Sequence, residues 1–306
     1  MRVSIITLAL DIPPFIDEAV ASIPCAGEID IEHIIIHDGS DREFAQLTER
    51  YPSLRILRGR GRGATAAANL ALKHATGEFV FFLNSDDRMT PNALSALASA
   101  ATRAPHVDIW TGATRLFKQD DRGREVTLRR IADRTNTILT LSNILDDFPL
   151  LTARFIRSQV YTRFSGLDES FQACSDREFM IRLTLAGVVE DALNEPVSEL
   201  RLHENSSTIR LSQKCVPAYL AQHVEIARRW MADATVAPTT YSIFKDWHAR
   251  ELARIAFYTA VAGQWGHAIG IVFSGLARDP IWPWRARTIL AARRRRRRND
   301  RDVGSH

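Results

Sequence analysis

At 306 residues, with 45% hydrophobic and 25% charged residues, the chain has an ordinary globular composition, enough for one large domain or a domain with a smaller companion. Its net charge of +4 is local: subtracting the six arginines of the run 293–298 leaves −2, so the body lacks the spread of positive charge that nucleic-acid enzymes carry. Cys25, Cys174 and Cys215 are odd in number, far apart and without CxxC spacing, which argues against a zinc site or a disulfide framework and fits a reducing cytoplasm.

The opening "MRVSIITLAL" looks like a secretion signal only in outline. Its apolar run is short, is broken by Asp11, Pro13 and Pro14, and has no cleavage site, so it reads as a first strand, "VSIIT" (3–7). A helix over 15–23 follows, then a strand over 31–40 that ends in a polar turn, a helix over 42–51 and a third strand over 54–59. The segment 64–75 is a strong helix closed by Gly77, and 78–84 is a fourth strand. Thr90 is the expected N-cap of a helix over 91–104, with Pro91 at its first position. Apolar strands separated by single helices imply a parallel sheet covered on both faces, with ligands bound outside the carboxyl ends of its strands. From 105 to 165 strands and loops take over, with a hairpin expected at the charged loop 118–125. Ser175 is the expected N-cap of a helix ended by Gly187, and beyond 208 the chain reads as wholly helical. The longest apolar run, 255–277, contains Gln264, His267 and four glycines, so its centre "GQWGH" reads as a turn between two helices rather than the middle of a membrane span.

Three strand ends on the expected binding edge are polar: Thr7, then His37 to Ser40, then Asn84 to Asp87. Adjacent carboxylates at the end of a buried strand repel each other. A hard divalent cation relieves that repulsion, and Mg²⁺ or Mn²⁺ commonly shares its shell with substrate phosphates and stabilises a diphosphate leaving group. Plainer roles fit the same residues. Asp86 and Asp87 can form a turn, Asp38-Gly39-Ser40 is a common turn, Asp176 sits where the helix macrodipole favours a carboxylate, and His203 can be a surface-loop histidine.

Order and spacing add a further reading. "VSIIT", "IIIHDGSD", "GATAAAN" followed by "HATGEFVFFLNSDD", "FSGLDESFQACSDREFMIRL" and "RLHENSST" together resemble the family-2 inverting glycosyltransferases, over about residues 1–210. The resemblance implies an α/β fold of the GT-A type, with a mostly parallel sheet and helices on both faces, in a domain over 1–207. A helical region over 208–284 and a basic tail over 285–306 would follow. It implies that Thr7 and Asp38 hold the nucleotide base, that Asp86 lies near the ribose, and that Asp87 ligates Mn²⁺ or Mg²⁺ beneath the diphosphate. His203 would contact the metal or diphosphate, and Asp176 would be the catalytic base. The asparagine at 84 matches a subgroup reading "FLNADD". Leu8, Ala9 and Leu10 depart from a common "TYN", Ser175 replaces a usual Glu, and Ala68 replaces a common Arg.

The implied activity is transfer of a sugar from a nucleotide sugar, a UDP-sugar first, to a glycan or lipid-linked saccharide of a bacterial cell surface. The alternative is a catalytically weak GT-A module serving as a binding or scaffold subunit. A nucleotidyltransferase would want a Gly-rich basic loop after strand one, and "TLALDIPP" supplies none. Trp282 and Trp284 before the arginine run suit the interface of an anionic membrane, which places the chain in the cytoplasm, peripheral on the inner face of the cell membrane. A solvated arginine tail is the plain alternative, and no nucleic-acid partner is expected.

Overall fold

The computed structural model describes residues 1–9, 14–25, 27, 29–131, 139–146, 151–204, 206 and 216–283. Internal contacts divide the chain into two units, Met1–Ser206 and Ser207–His306.

The first unit is built on β1 (Arg2–Ala9), β2 (Asp30–His37), β3 (Leu54–Arg58) and β4 (Phe79–Phe82), linked by α1 (Ile16–Ala21), α2 (Asp41–Arg50) and α3 (Ala64–His74). These strands pair in parallel in the order β3-β2-β1-β4, so their carboxyl ends share one edge. Their near-continuous Ile, Val and Phe content is what a strand buried on both faces requires. Val3, Ile5, Ile34, Phe79 and Phe81 are fully buried. Each such side chain contributes roughly 1.5–3 kcal/mol of transfer free energy.

Beyond β4 the sheet changes character. β5 (Arg88–Met89), α4 (Ala93–Arg103), the long β6 (Ile109–Gln119), β7 (Glu125–Ile131), α5 (Leu141–Asp146), β8 (Arg154–Arg157), α6 (Ser158–Arg163), α7 (Ser175–Leu185) and β9 (Glu190–Arg201) complete the unit. β8 runs antiparallel between β4 and β6, which restores β6 to the direction of β4, and β9 pairs with β6 in parallel. Thus Arg201, the last residue of β9, arrives at the same edge as the end of β4. β6 and β7 form the hairpin expected around the charged loop.

Three local expectations are corrected. α4 starts at Ala93 with Asn92 as N-cap, because the Thr90 hydroxyl donates instead to the Pro196 carbonyl, 2.5 Å away. Ser175 is already helical, with Cys174 as N-cap, and its hydroxyl lies 3.1 Å from that of Thr65 on α3. Gly77 does not close α3, which ends at His74; a Cβ at Gly77 would lie 2.4 Å from the Ser4 backbone nitrogen, so the glycine permits close approach to β1.

In the second unit, α8 (Val216–Ala232), α9 (Pro238–Val261) and α10 (Trp265–Arg278) are the described helices. α9 buries Glu251 beside His223, Arg250 and Arg254. Burial pushes the Glu251 pKa up, but the His223 contact and the three cationic neighbours outweigh it and hold the carboxyl at about 2. The turn after α9 falls where "GQWGH" predicts one. Trp282 is 4% exposed and packs with Ala249, so it is a core residue of this unit and not an interfacial anchor. Trp284 and the arginine run lie outside the described residues.

Candidate active site

Parallel strands deliver polar residues to one edge, but their side chains do not all face it. Thr7 is fully buried, with its hydroxyl 2.9 Å from His33 Nε2 on β2. Burial depresses His33 to about 3, so the imidazole is neutral and the pair belongs to the interior. Asp38 stands at the end of β2 under the loop after β3. Its carboxylate accepts the Gly61 backbone N–H at 2.9 Å, and a Cβ on Gly59 would lie 2.3 Å from Asp38 Oδ1. The alternating "RGRGRG" of residues 58–63 therefore has a steric reason at Gly59: a side chain there would push the Asp38 carboxylate out of its present position.

The end of β4 divides its two carboxylates. Asp87 is 2% exposed and fully hydrogen-bonded on both sides, with Oδ2 accepting from Asn84 Nδ2 and Oδ1 from the Arg201 backbone N–H, each at 2.7 Å. Asp86 faces outward with a 23% exposed side chain, and its Oδ2 lies 2.9 Å from Nε2 of His203, 27% exposed. Burial, and then the neighbouring Asp86 charge, push Asp87 up to about 7. Asp87 thus keeps its proton to about neutral pH in the absence of a compensating cation.

This has a measurable consequence. The ordinary carboxyl value is 3.8, so between about pH 4 and pH 7 the folded chain retains a proton on Asp87 that the unfolded chain has released. The stability associated with that proton is present below pH 4 and is lost as pH rises through 7. In the absence of divalent ions, the melting temperature of the wild type is expected to fall across this window relative to that of Asp87→Asn, and added Mn²⁺ is expected to offset the fall. A difference between the two melting curves that does not change with pH would refute the account.

Arg201 organises this cluster. Its backbone N–H binds Asp87, its Nε donates to the Asp86 carbonyl at 3.1 Å, and its Nη2 reaches Glu18 of α1 at 2.5 Å. The guanidinium lies 4.0 Å from the Phe15 ring centre, and Phe15 in turn touches the His203 ring. Arg88, Arg115 and Arg201 all lie within 5 Å of the Phe117 ring centre, and Glu18, Glu125 and Glu199 neutralise them. Sequence reading took the histidine from "RLHENSST" and passed over the arginine. The available signal was strand alternation, which sends residues i and i+2 to one face.

Asp176 lies in the first turn of α7, partly buried, with Oδ1 accepting the Arg177 N–H at 2.7 Å. Burial raises its pKa, while the charges of Arg177 and of Arg154 at the start of β8 oppose that rise. The approach to α7 is held by α3: Asn69 accepts from the Leu167 N–H at 2.9 Å and donates to its carbonyl at 2.8 Å, and Thr65 donates to the Phe171 carbonyl at 3.0 Å. "GATAAAN" is thus a bracket for the loop that presents Asp176.

The outward-facing Asp86 carboxylate is a hard oxygen donor of the kind that suits Mg²⁺ or Mn²⁺, with the His203 imidazole beside it. Among the described residues, no three His, Cys, Asp or Glu side chains form a metal-binding group by themselves. An ion at Asp86 and His203 would complete its shell with phosphate oxygens and water.

The sequence profile of Glycosyl transferase family 2 matches residues 4–164, just over half of the chain and including Asp38, Asp86 and Asp87. The chain belongs to glycosyl transferase family 2. The O-antigen biosynthesis protein RfbC of Myxococcus xanthus is 25% identical over 207 residues, which are 64% of this family-2 chain and 15% of that protein. The minor teichoic acid biosynthesis protein GgaA of Bacillus subtilis is 28% identical over 166 residues, 51% of this chain and 36% of that protein. The chain therefore matches only a minor part of the length of either relative. Among solved structures, S. aureus TarS 1–349 in complex with UDP-GlcNAc is similar with a TM-score of 0.64, covering 88% of this chain and 80% of that one at 19% identity. The mannosyltransferase PcManGT of Pyrobaculum calidifontis, in complex with GDP-Man and Mn²⁺, has a TM-score of 0.56 over 95% of this chain and 84% of its own at 18% identity. These likenesses show a shared GT-A fold.

Proposed function

We propose that the chain is an inverting glycosyltransferase that moves a sugar from a nucleoside-diphosphate sugar, a UDP-sugar first, to a hydroxyl of a glycan or lipid-linked saccharide in bacterial cell-surface polysaccharide synthesis. The observation that carries this reading is the pairing of outward-facing Asp86 and His203 with buried Asp87 at the carboxyl edge of a GT-A sheet. The names of RfbC and GgaA, for O-antigen and teichoic acid biosynthesis, support the polysaccharide assignment. The nucleotide-sugar complexes of TarS and PcManGT support the donor class.

Asp38 reads the base, and its second carboxylate oxygen is the one that faces a ligand, since Gly61 occupies the first. Thr7 acts from behind, through the β1–β2 interior. The geometry argues for dividing the acidic pair differently from the family resemblance: Asp86 and His203 are the metal-facing groups, and Asp87 braces the loop through Asn84 and Arg201. When bound, Mn²⁺ or Mg²⁺ would neutralise the diphosphate as it departs. Asp176 takes the proton from the acceptor hydroxyl while that oxygen attacks the anomeric carbon opposite the diphosphate, which inverts the centre. A carboxylate whose pKa burial has raised is a stronger base for that step. The chain works at the inner face of the cell membrane, where lipid-linked acceptors lie and where the arginine run 293–298 meets anionic lipid.

A thermal-shift screen of nucleotide sugars with and without Mn²⁺ tests the donor assignment. A ligand at a hundred times its Kd stabilises by about 2.7 kcal/mol. For a chain of this size, with about 2.1 cal/mol/K of unfolding entropy per residue, that is a rise of roughly 4 °C, expected to be largest for UDP-sugars with Mn²⁺. No shift with any nucleoside diphosphate would overturn the reading, whereas a shift without transfer to any acceptor extract would favour a binding module.

A further inference from the structure

The 23 residues 255–277 contain no Asp, Glu, Lys or Arg. In the structure this run forms the end of α9, a short turn and most of α10, and among the described residues no helix is long and apolar enough to cross a membrane. A run of this kind in a water-soluble helical hairpin should lie mostly inside, yet its largest side chains do not. Phe257 and Val261 on α9, and Trp265, Ile269 and Phe273 on α10, are each more than half exposed. They recur every four residues. At about 100° per residue, Trp265, Ile269 and Phe273 fall within about 80° of one another on α10. Ala268 and Gly275 are buried on a second face, and the polar His267 and Ser274 share a third. On α10 the exposed apolar residues therefore form a stripe and are not scattered, with Phe257 and Val261 exposed on the helix before it, and such a patch marks an interaction surface.

We propose that this hairpin face is a membrane-contact surface: Phe257, Val261, Trp265, Ile269 and Phe273 enter the headgroup–acyl boundary of an anionic bilayer, and the arginine run 293–298 supplies the accompanying electrostatic attraction. The run begins 15 residues beyond α10 in the same chain, so the sequence holds both signals close together. Stable peripheral binding needs such a pair, because one apolar or one basic element alone binds marginally. The absence of charge from the face and the concentration of charge beside it in sequence match a lipid interface better than a protein partner, whose rim charges would be interspersed. The proposal deepens the reading that the chain works at a membrane and moves the apolar contact from Trp282, which is buried, to the hairpin.

The test uses the full chain and vesicles of phosphatidylcholine with or without an equal part of phosphatidylglycerol. Wild type is expected to co-sediment with the anionic vesicles, and Trp265→Ser with Phe273→Ser to weaken partitioning at least tenfold while the melting temperature and the UDP-sugar thermal shift stay unchanged. Brominated lipid is expected to quench tryptophan fluorescence in the wild type, and Trp265→Phe to lose that quenching while still binding. If the double variant binds as wild type does, and only replacement of 293–298 by serine abolishes binding, the hairpin inference is overturned and the tail reading stands. If wild type does not bind anionic vesicles, both fall, and the donor shift decides the enzymatic reading separately. A dimer that the double variant converts to monomer, with vesicle binding unaffected, would assign the face to a second copy. A lowered melting temperature in the double variant would mean that the face is covered within the chain. Either result overturns the proposal.

Discussion

Asp176→Asn is expected to reduce sugar transfer by roughly 10²–10⁴-fold, the usual contribution of a positioned general base, while leaving the thermal shift given by a UDP-sugar unchanged. The substitution is nearly isosteric, and its carbonyl oxygen can still accept the Arg177 N–H that now holds Oδ1 at 2.7 Å. What it removes is the proton acceptor. Burial has already raised the pKa of this group against the pull of Arg177 and Arg154, so the wild-type carboxylate combines a fixed position with enhanced basicity. Asp176→Glu is the companion variant. It keeps the charge but shifts the oxygens by a methylene, and misplacement on the order of 1 Å can cost about a hundredfold. Product formation is measured from released nucleoside diphosphate. A fall of less than about tenfold in Asp176→Asn, small against the contribution of a general base, would remove this residue from the base role; loss of donor binding would make its role structural.

Asp86→Ala should give the second large effect: turnover lowered on the order of a thousandfold, a UDP-sugar thermal shift that no longer responds to Mn²⁺, and a melting temperature close to wild type. His203→Ala should move in the same direction. The contrast with Asp87→Ala separates the two carboxylates. Asp87 satisfies the Arg201 N–H in the interior and accepts from the amide of the exposed Asn84. Its removal leaves one buried donor, the Arg201 N–H, unpaired, at about 1–3 kcal/mol, so the expected signature is a lower melting temperature first. If Asp87→Ala instead folds as stably as wild type and loses only the response to Mn²⁺, the division proposed above is reversed, and the assignment implied by family resemblance is restored.

How much of this was legible beforehand depended on the kind of residue. The Ile-, Val- and Phe-rich strands announced a parallel sheet because burial on both faces leaves little room for polar side chains, as the pairing of β1 with β2 and β4 shows. The antiparallel insertion of β8 between β4 and β6 was not legible, since pairing partners far apart in sequence leave no local periodicity. Thr7 was legible as a strand-end residue, but its side chain's direction depends on His33, 26 positions away. Trp282 read as an amphipathic anchor on composition, and packing with Ala249 and Gly275 placed it inside.

By itself, the sequence determined the strand-helix alternation, the acidic residues at the strand ends and the uncharged run 255–277, because propensity, turn chemistry and charge are properties of near neighbours. Only the tertiary structure decided which carboxylate is buried and which looks outward, that Arg201 closes the cluster, and that the uncharged run turns a stripe of large side chains to the surface. Each of those outcomes depends on what residues distant in sequence place alongside. Asp86 and Asp87 are adjacent in the chain, yet the end of β9 delivers a backbone N–H to Asp87 and the loop after it a histidine to Asp86.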